Sequence, residues 1–351
     1  MIFRQLFDAE SFTYSYLLAS RHGGEALIID SVLGRVDRYM QLLDELDLRL
    51  VKVVDTHVHV DHITGMGALR DRTQCVTVMG EESPADVVSM RVKDGETIDI
   101  EGISLEAIHT PGHTSDSYCF RLADRVFTGD TLLIRGTGRT DFQAGDSRDA
   151  YDSLFNKLLV LPDETLVYPG HDYKGDTGST IGEKRAHNPR LQVSSVDEYV
   201  EIMDNLNLPN PKQMDVAVPA NISIGASQEA AGDDLAAWSV SCEQLIGWID
   251  SDADLLIDLR EDNERARDGV IEGSVHAPYT RLTQFVESGG MLRQMASGKR
   301  LIFYCAFGER SALAVRAAMD AGLDDVCHLV GGIKAWTQAG GPINQNNPIS
   351  R

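Results

Sequence analysis

The chain has 351 residues, 42% of them apolar, with five cysteines and a formal charge of −22 at neutral pH. That size fits two globular domains with cores of their own, and the charge excludes nucleic-acid backbones and anionic membranes as partners because the field of the whole chain repels them. No apolar run reaches the roughly eighteen residues of a membrane span, no signal-peptide core opens the chain, and no Cys-x-x-Cys occurs, so a cytoplasmic, reducing setting is expected.

In chain order, Ser15 to Ser20, Ala26 to Asp30, Leu50 to Asp55 and Cys75 to Met79 read as strands, and Val36 to Leu46 has helical periodicity. This is the texture of a mixed α/β layered domain. Ser104 to Ile108, Ser117 to Leu122 and Arg125 to Thr128 form a β-meander, tightened at Ala123-Asp124, that leads to Asp130. Ser147 to Leu161 is helical in period, Thr165 to Tyr168 is a strand, and Ser195-x-x-Glu198 is a capping box opening a helix toward Met203. Small polar residues from Gly225 to Asp234 read as a linker. The expected division is a first domain over 1–225, a linker over 226–236 and a second domain over 237–346. In the latter, helix Cys242 to Trp248, strands Leu255 to Ile257 and Leu301 to Tyr304, and helix Ser311 to Met319 predict a small doubly wound α/β domain.

Behind the strand ending at Asp55, Thr56-His57-Val58-His59-Val60-Asp61-His62 packs three imidazoles and a carboxylate into seven residues. Such a density of His and Asp points to a divalent metal, and alternate residues at a strand end can reach one locus. Three further candidates each follow a glycine: His113, Asp130 and His171. A carbonyl-polarising zinc pair and a single redox metal are both compatible with these residue types.

The His-x-His-x-Asp-His run, followed by His113, Asp130 and His171 on alternating strands and helices, resembles the metallo-β-lactamase superfamily. The resemblance implies an αββα sandwich. Dinuclear members bind one metal through residues matching His57, His59 and His113 and another through Asp61, His62 and His171, with Asp130 bridging, and hydrolyse thioesters or related bonds as glyoxalase II does. A narrower resemblance, in Leu132 to Gln143 (Leu-Leu-Ile-Arg-Gly-Thr-Gly-Arg-Thr-Asp-Phe-Gln) and Gly170-His171-Asp172-Tyr173, is to persulfide dioxygenases. It implies one Fe(II) per chain on His57, His113 and Asp130, with positions open for substrate sulfur and O2. His59, Asp61, His62 and His171 would then surround that metal and orient its ligands. Arg139 and Tyr173 match positions that contact glutathione in that subfamily, a guanidinium fork being suited to a peptide carboxylate, and Thr128, beside Asp130, is expected to assist substrate binding through its hydroxyl. Arg135, Asp141, Lys184, Arg185 and Arg190 are expected to shape loops or to be peripheral, and His109 to be packed.

Cys305 ends an apolar strand and is followed by Ala306-Phe307-Gly308-Glu309-Arg310 and a helix. Such a loop cradles an anion, and the helix N-terminus favours negative charge, so Cys305 is expected to be a nucleophilic thiolate with Arg310 beside it. The other four cysteines have no such loop. This stretch, with Asp258-Leu259-Arg260-Glu261 and Leu329-Val330-Gly331-Gly332-Ile333-Lys334-Ala335-Trp336, resembles the rhodanese family. That resemblance implies catalysis by Cys305 and Arg310, with sulfane sulfur moved between thiosulfate and glutathione through a Cys305 persulfide. The whole chain resembles fusions of the two families, with a homo-oligomer left open. Alternatives are a dinuclear zinc thioester hydrolase carrying a sulfurtransferase domain, and a non-enzymatic carrier of sulfur on Cys305.

Overall fold

The computed structural model describes residues 1–85, 87–141, 144–206, 208–209, 214–224, 238–248, 253–296 and 298–345. The chain divides into two compact units, Met1–Ala226 and Ser227–Arg351. The linker expected at 226–236 lies outside the described residues, as do Phe142 and Gln143. Among the described residues no helix is long and apolar enough to cross a membrane.

The first unit begins with a six-stranded sheet of β1 (Ile2–Asp8), β2 (Thr13–Ala19), β3 (Glu25–Ile29), β4 (Arg49–Val54), β5 (Val76–Gly80) and β6 (Met90–Val92), arranged in that order. The β1, β2 and β3 pairings are antiparallel, whereas β3 through β6 run parallel. Parallel strands need crossovers, which α1 (Val36–Glu45) and α2 (Met66–Thr73) supply. Val36, Tyr39, Leu42 and Leu43 of α1, at helical spacing, bury against Leu17, Ile28 and Val53 of the sheet.

The second sheet contains β7 (Thr97–Ile100), β8 (Ile103–His109), β9 (Tyr118–Arg121) and β10 (Arg125–Gly129); the hairpin β11 (Leu132–Leu133) and β12 (Gly136–Thr137) follows separately. β13 (Leu166–Pro169) then joins β10 in parallel and β14 (Ser179–Thr180) closes the edge. Its outer face is covered by α3 (Ser147–Asp152), α4 (Ile181–His187) and α5 (Val196–Asp204), whose Ile181 and Tyr199 cluster with Val126 and Val167. Between the sheets, Tyr16 meets Phe127 at 4.9 Å and Phe3 meets Tyr168 at 4.8 Å between ring centroids. The result is the expected helix–sheet–sheet–helix stack.

The first unit differs locally from the sequence reading at three points. The helix expected from Ser147 to Leu161 changes to a π-helical stretch at Ser153–Leu158. At α5, the Ser195 hydroxyl caps Glu198 N–H, but the Glu198 carboxylate takes Ser194 N–H at 2.7 Å, so the box closes one residue early. Strand β1 and α6 (Met214–Ile222), which carries Pro219, were not expected.

The second unit is built on a five-stranded parallel sheet of β15 (Ser239–Val240), β16 (Asp254–Asp258), β17 (Val275–His276), β18 (Arg300–Tyr304) and β19 (Val326–Leu329), ordered β15-β19-β18-β16-β17. Its helices are α7 (Cys242–Trp248), α8 (Asp262–Asp268), α9 (Leu282–Val286), α10 (Met291–Met295), α11 (Glu309–Asp320) and α12 (Gly332–Gln338). Strand β18 is buried from Leu301 to Tyr304, as a central parallel strand must be. Cys305 follows its carboxyl end, where α/β sheets carry their sites.

Candidate metal centre and cysteine loop

Each candidate ligand lies just beyond a strand: His57 and His59 after β4, His113 after β8, Asp130 after β10 and His171 after β13. The loop bearing His113 passes so close to α3 that a Cβ on Gly112 would lie 2.3 Å from Ala150 Cα, and Gly112 has φ +140°. Only glycine fits there. His57, His113 and Asp130 bring one ligand atom each within 4.8 Å of the others, and His59, Asp61 and His62 do the same beside them.

Hydrogen bonds define which nitrogens face inward. Thr56 Oγ1 donates to Asp30 Oδ2 at 3.1 Å and so accepts from His57 Nδ1 at 3.0 Å. His57 Nε2 is buried with no hydrogen-bond partner among the described residues. His113 Nδ1 donates to the Arg139 carbonyl at 2.7 Å, which leaves its Nε2 lone pair toward Asp130, 3.6 Å away. Both imidazoles thus present an acceptor nitrogen, the form that binds a metal. Burial, with His59 and His113 beside it, holds His57 far below the ordinary histidine range and keeps it neutral.

The remaining acids and imidazoles form a tight shell. Asp61 Oδ2 lies 3.0 Å from His62 Nδ1 and 3.5 Å from His171 Nε2. Burial would raise the Asp61 carboxyl, but His171 and His62 hold it well below the usual range. Against burial, Asp130 and Asp61 push His171 up to about 9. Two acids that sequence reasoning missed lie underneath. Asp30 Oδ1 accepts Thr56 N–H at 2.7 Å and lies 3.2 Å from His59 Nε2, while burial and Asp30 push Asp55 up to about 8. The available signal was an aspartate ending each of two apolar strands.

A cleft of about 340 Å³ opens onto this cluster and is lined by Asp61, His113, Asp130 and His171. Arg139 and Tyr173, expected to contact substrate, line it too. The Arg139 fork is held by Asp141 through two contacts of 2.6 Å, and its Nη1 donates to Pro209 O at 2.7 Å. Thr128 corrects the expectation: it is wholly buried, and its hydroxyl donates to Leu132 O at 2.7 Å, so it shapes the loop after Asp130 without reaching the cleft. Arg135 and Arg190, expected to shape loops or to be peripheral, bond the His187 and Thr137 carbonyls and stand in the cleft wall with Lys174. His109 packs on Tyr118 and bonds Ser115 O, away from the cluster.

In the second unit Cys305 is buried, and Gly308 N–H donates to its Sγ at 3.1 Å. The loop is pinned from outside as well: Ile333 N–H donates to Cys305 O, and a Cβ on Gly332, at φ +58°, would lie 2.4 Å from that oxygen. Arg310 is engaged by an acid and also acts electrostatically with Cys305. Its two terminal nitrogens lie 2.6 and 2.8 Å from the Glu264 carboxylate, and both side chains are buried, so Arg310 braces the loop against α8. Glu264 was invisible to sequence reasoning because the pair spans 46 residues. Lys334 stands beside the loop, its Nζ 5.1 Å over the Phe307 ring.

The metallo-beta-lactamase superfamily model matches residues 9–171, and the rhodanese-like domain model matches residues 241–339. Persulfide dioxygenase ETHE1, mitochondrial, of Homo sapiens is 46% identical over 234 residues, which is 66% of this chain and 91% of the human protein. The crystal structure of ETHE1 from Myxococcus xanthus is 53% identical and covers 64% of this chain and 100% of that one, with a TM-score of 0.63. A Staphylococcus aureus metallo-beta-lactamase, 20% identical, covers 94% of this chain and 98% of that one with a TM-score of 0.60, a likeness of fold alone.

Proposed function

We infer, from a chain that belongs to the persulfide dioxygenase family of the metallo-β-lactamase superfamily and carries a rhodanese-like domain behind it, a persulfide dioxygenase joined to a sulfurtransferase. The substrate is glutathione persulfide: with O2 and water it gives glutathione, sulfite and two protons. One Fe(II) per chain is held by His57, His113 and Asp130. When bound, ferrous iron supplies the electrons for joining O2 to sulfur, which redox-inert zinc does not.

One observation carries the metal assignment: the inward Nε2 of His57 is buried and has no hydrogen-bond partner among the described residues, while its Nδ1 is engaged by Thr56. A buried acceptor left so would be destabilising unless a cation completed it. The chain's own residues do the rest. Arg135, Lys174 and Arg190 give the cleft a positive wall for the carboxylates of a peptide substrate. Arg139 holds His113 through its carbonyl and, through its guanidinium, stiffens the same wall. In the second unit the Cys305 thiolate takes sulfane sulfur from thiosulfate, releasing sulfite, and passes it to glutathione. Lys334 beside the loop favours that dianionic donor.

The cluster of His59, Asp61 and His62 favours a second reading, dinuclear zinc and thioester hydrolysis. Asp61 Oδ2 and His62 Nδ1 contact each other and Thr13 Oγ1, while Asp61 Oδ1 and His62 Nε2 are, like His57 Nε2, buried without a hydrogen-bond partner among the described residues. An oxygen electrode with glutathione persulfide, run beside metal analysis, separates the two. O2 uptake with one iron per chain is expected, whereas two zinc ions with thioester turnover and no uptake would overturn the dioxygenase. Cys305→Ser should abolish sulfur transfer and spare O2 uptake; His113→Ala should do the reverse.

A further inference from the structure

Beside the Cys305 loop lies a set of polar side chains that the sulfur chemistry described above does not use. Ser311, wholly buried in the first turn of α11, places its Oγ 3.7 Å from Cys305 Sγ and donates to Gly308 O at 2.9 Å. The same Oγ lies 3.4 Å from Nδ1 of His328, a buried residue of β19. On the other nitrogen of that ring, Nε2 lies 3.1 Å from the hydroxyl of Ser239 in β15. A helix and two strands thus meet at one sulfur atom.

The shortest contact fixes the hydrogens. A carbonyl only accepts, so the Ser311 hydrogen goes to Gly308 O, its nearest partner. Burial holds His328 below the ordinary histidine range, so its ring is neutral and carries one hydrogen. With the Ser311 hydrogen spent, the ring hydrogen sits on Nδ1 and is given to Ser311 Oγ, and Nε2 accepts from Ser239. Holding the Ser311 oxygen in this way matters once Cys305 is a thiolate. A thiol gives its own hydrogen to Ser311 Oγ, whereas a thiolate has none to give and needs donors. Gly308 N–H is one, at 3.1 Å. The Ser311 hydroxyl becomes a second by turning about its Cβ–Oγ bond, and Gly308 O keeps a partner because Ala312 N–H reaches it at 3.1 Å.

We propose that His328 is a positioning residue of the sulfur-transfer site, its Nδ1–H fixing the Ser311 oxygen so that the Ser311 hydroxyl can serve the Cys305 thiolate. This rests on the sulfurtransferase reading. There the thiolate attacks the outer sulfur of thiosulfate, a new S–S bond forms as the old one breaks, and sulfite leaves with the electron pair. In the second half a glutathione thiolate attacks the outer sulfur of the Cys305 persulfide, and the pair of the breaking S–S bond returns to Sγ. Negative charge reappears on Sγ in that half, 3.7 Å from the hydroxyl that His328 holds. A donor already in place lowers the barrier to this step, because no group has to be reoriented as the charge develops.

The test follows single-turnover emptying of the Cys305 persulfide. The full chain is loaded with thiosulfate, freed of it and mixed with glutathione without O2, and the persulfide left is measured as thiocyanate after cyanide is added. His328→Gln places its amide where Nε2 was and loses the donor to Ser311, so emptying should slow about tenfold. His328→Asn places its amide nitrogen where Nδ1 was and should restore the rate to within about twofold of the wild type. Ser311→Ala should be as slow as His328→Gln, and the two together no slower than either, as for residues acting through one bond. A wild-type rate in His328→Gln, an Asn variant as slow as the Gln variant, or additive losses in the double variant would each overturn the proposal. The wild-type chain gives an independent reading if the Gln variant does not fold. With isotope-labelled histidine, the NMR signal of His328 should show the hydrogen on Nδ1, and a hydrogen on Nε2 would overturn the proposal as well. A wild-type chain that takes no sulfur from thiosulfate would overturn the sulfurtransferase reading itself, a result distinct from failure of the His328 role.

Discussion

A single hydroxyl determines how His57 meets a metal. Thr56 spends its hydrogen on Asp30, so its oxygen can only accept from His57 Nδ1, and the tautomer with an Nε2 lone pair follows. Thr56→Val keeps the shape and removes that constraint. Iron affinity, measured by chelator competition against the apoprotein, should fall about 10- to 100-fold, the usual effect of losing a partner of a metal-bound histidine. Affinity equal to wild type would mean that packing alone sets the ring. Legibility in the sequence was uneven at this scale. His57, His113 and Asp130 could be picked out because ligand chemistry restricts the residue types, and their convergence required only strand ends. Thr128 was misplaced because whether a polar side chain faces a cleft or a carbonyl depends on neighbours that no local pattern records.

Strands, helices and loops transmit such constraints through a few ion pairs. The clearest joins α8 to the start of α11 through Glu264 and Arg310, both buried, beside the Cys305 loop. Glu264→Gln removes one charge and strands the other. The second unit should lose about 3–5 kcal/mol of stability, read by thermal or urea unfolding. Burial would raise the Glu264 carboxyl, but Arg310 overrides this and holds it below its ordinary 4.5. A lowered carboxylate contributes stability that is present above the unfolded value and lost as pH falls through the folded one. The wild-type unit should therefore weaken as pH drops below 4.5, and the Gln variant should lack that component. The elements were readable where apolar residues keep one period, as in α1 and the meander β8–β10. β1 escaped because Ile2-Phe3-Arg4-Gln5-Leu6-Phe7-Asp8 does not alternate, and α6 because Pro219 sits within it.

For the whole chain, the two compact units suggest separable chemistry. A protein ending at Ala226 should consume O2 with supplied glutathione persulfide at the full-length rate, yet should need that persulfide ready-made because Cys305 is gone. Steady-state O2 uptake with persulfide, and with thiosulfate plus glutathione, checks both halves of the statement. The first unit is also closed from its far end. Asn221 of α6 donates to His59 O at 2.9 Å and His62 O at 2.8 Å and accepts Thr64 N–H at 2.9 Å, so the histidine loop is clasped by a side chain 159 residues beyond His62. During synthesis the ribosome presents every ligand of the site long before it presents this clasp. A nascent chain therefore carries an unfinished loop until α6 emerges, and only the finished chain holds the site in its final shape.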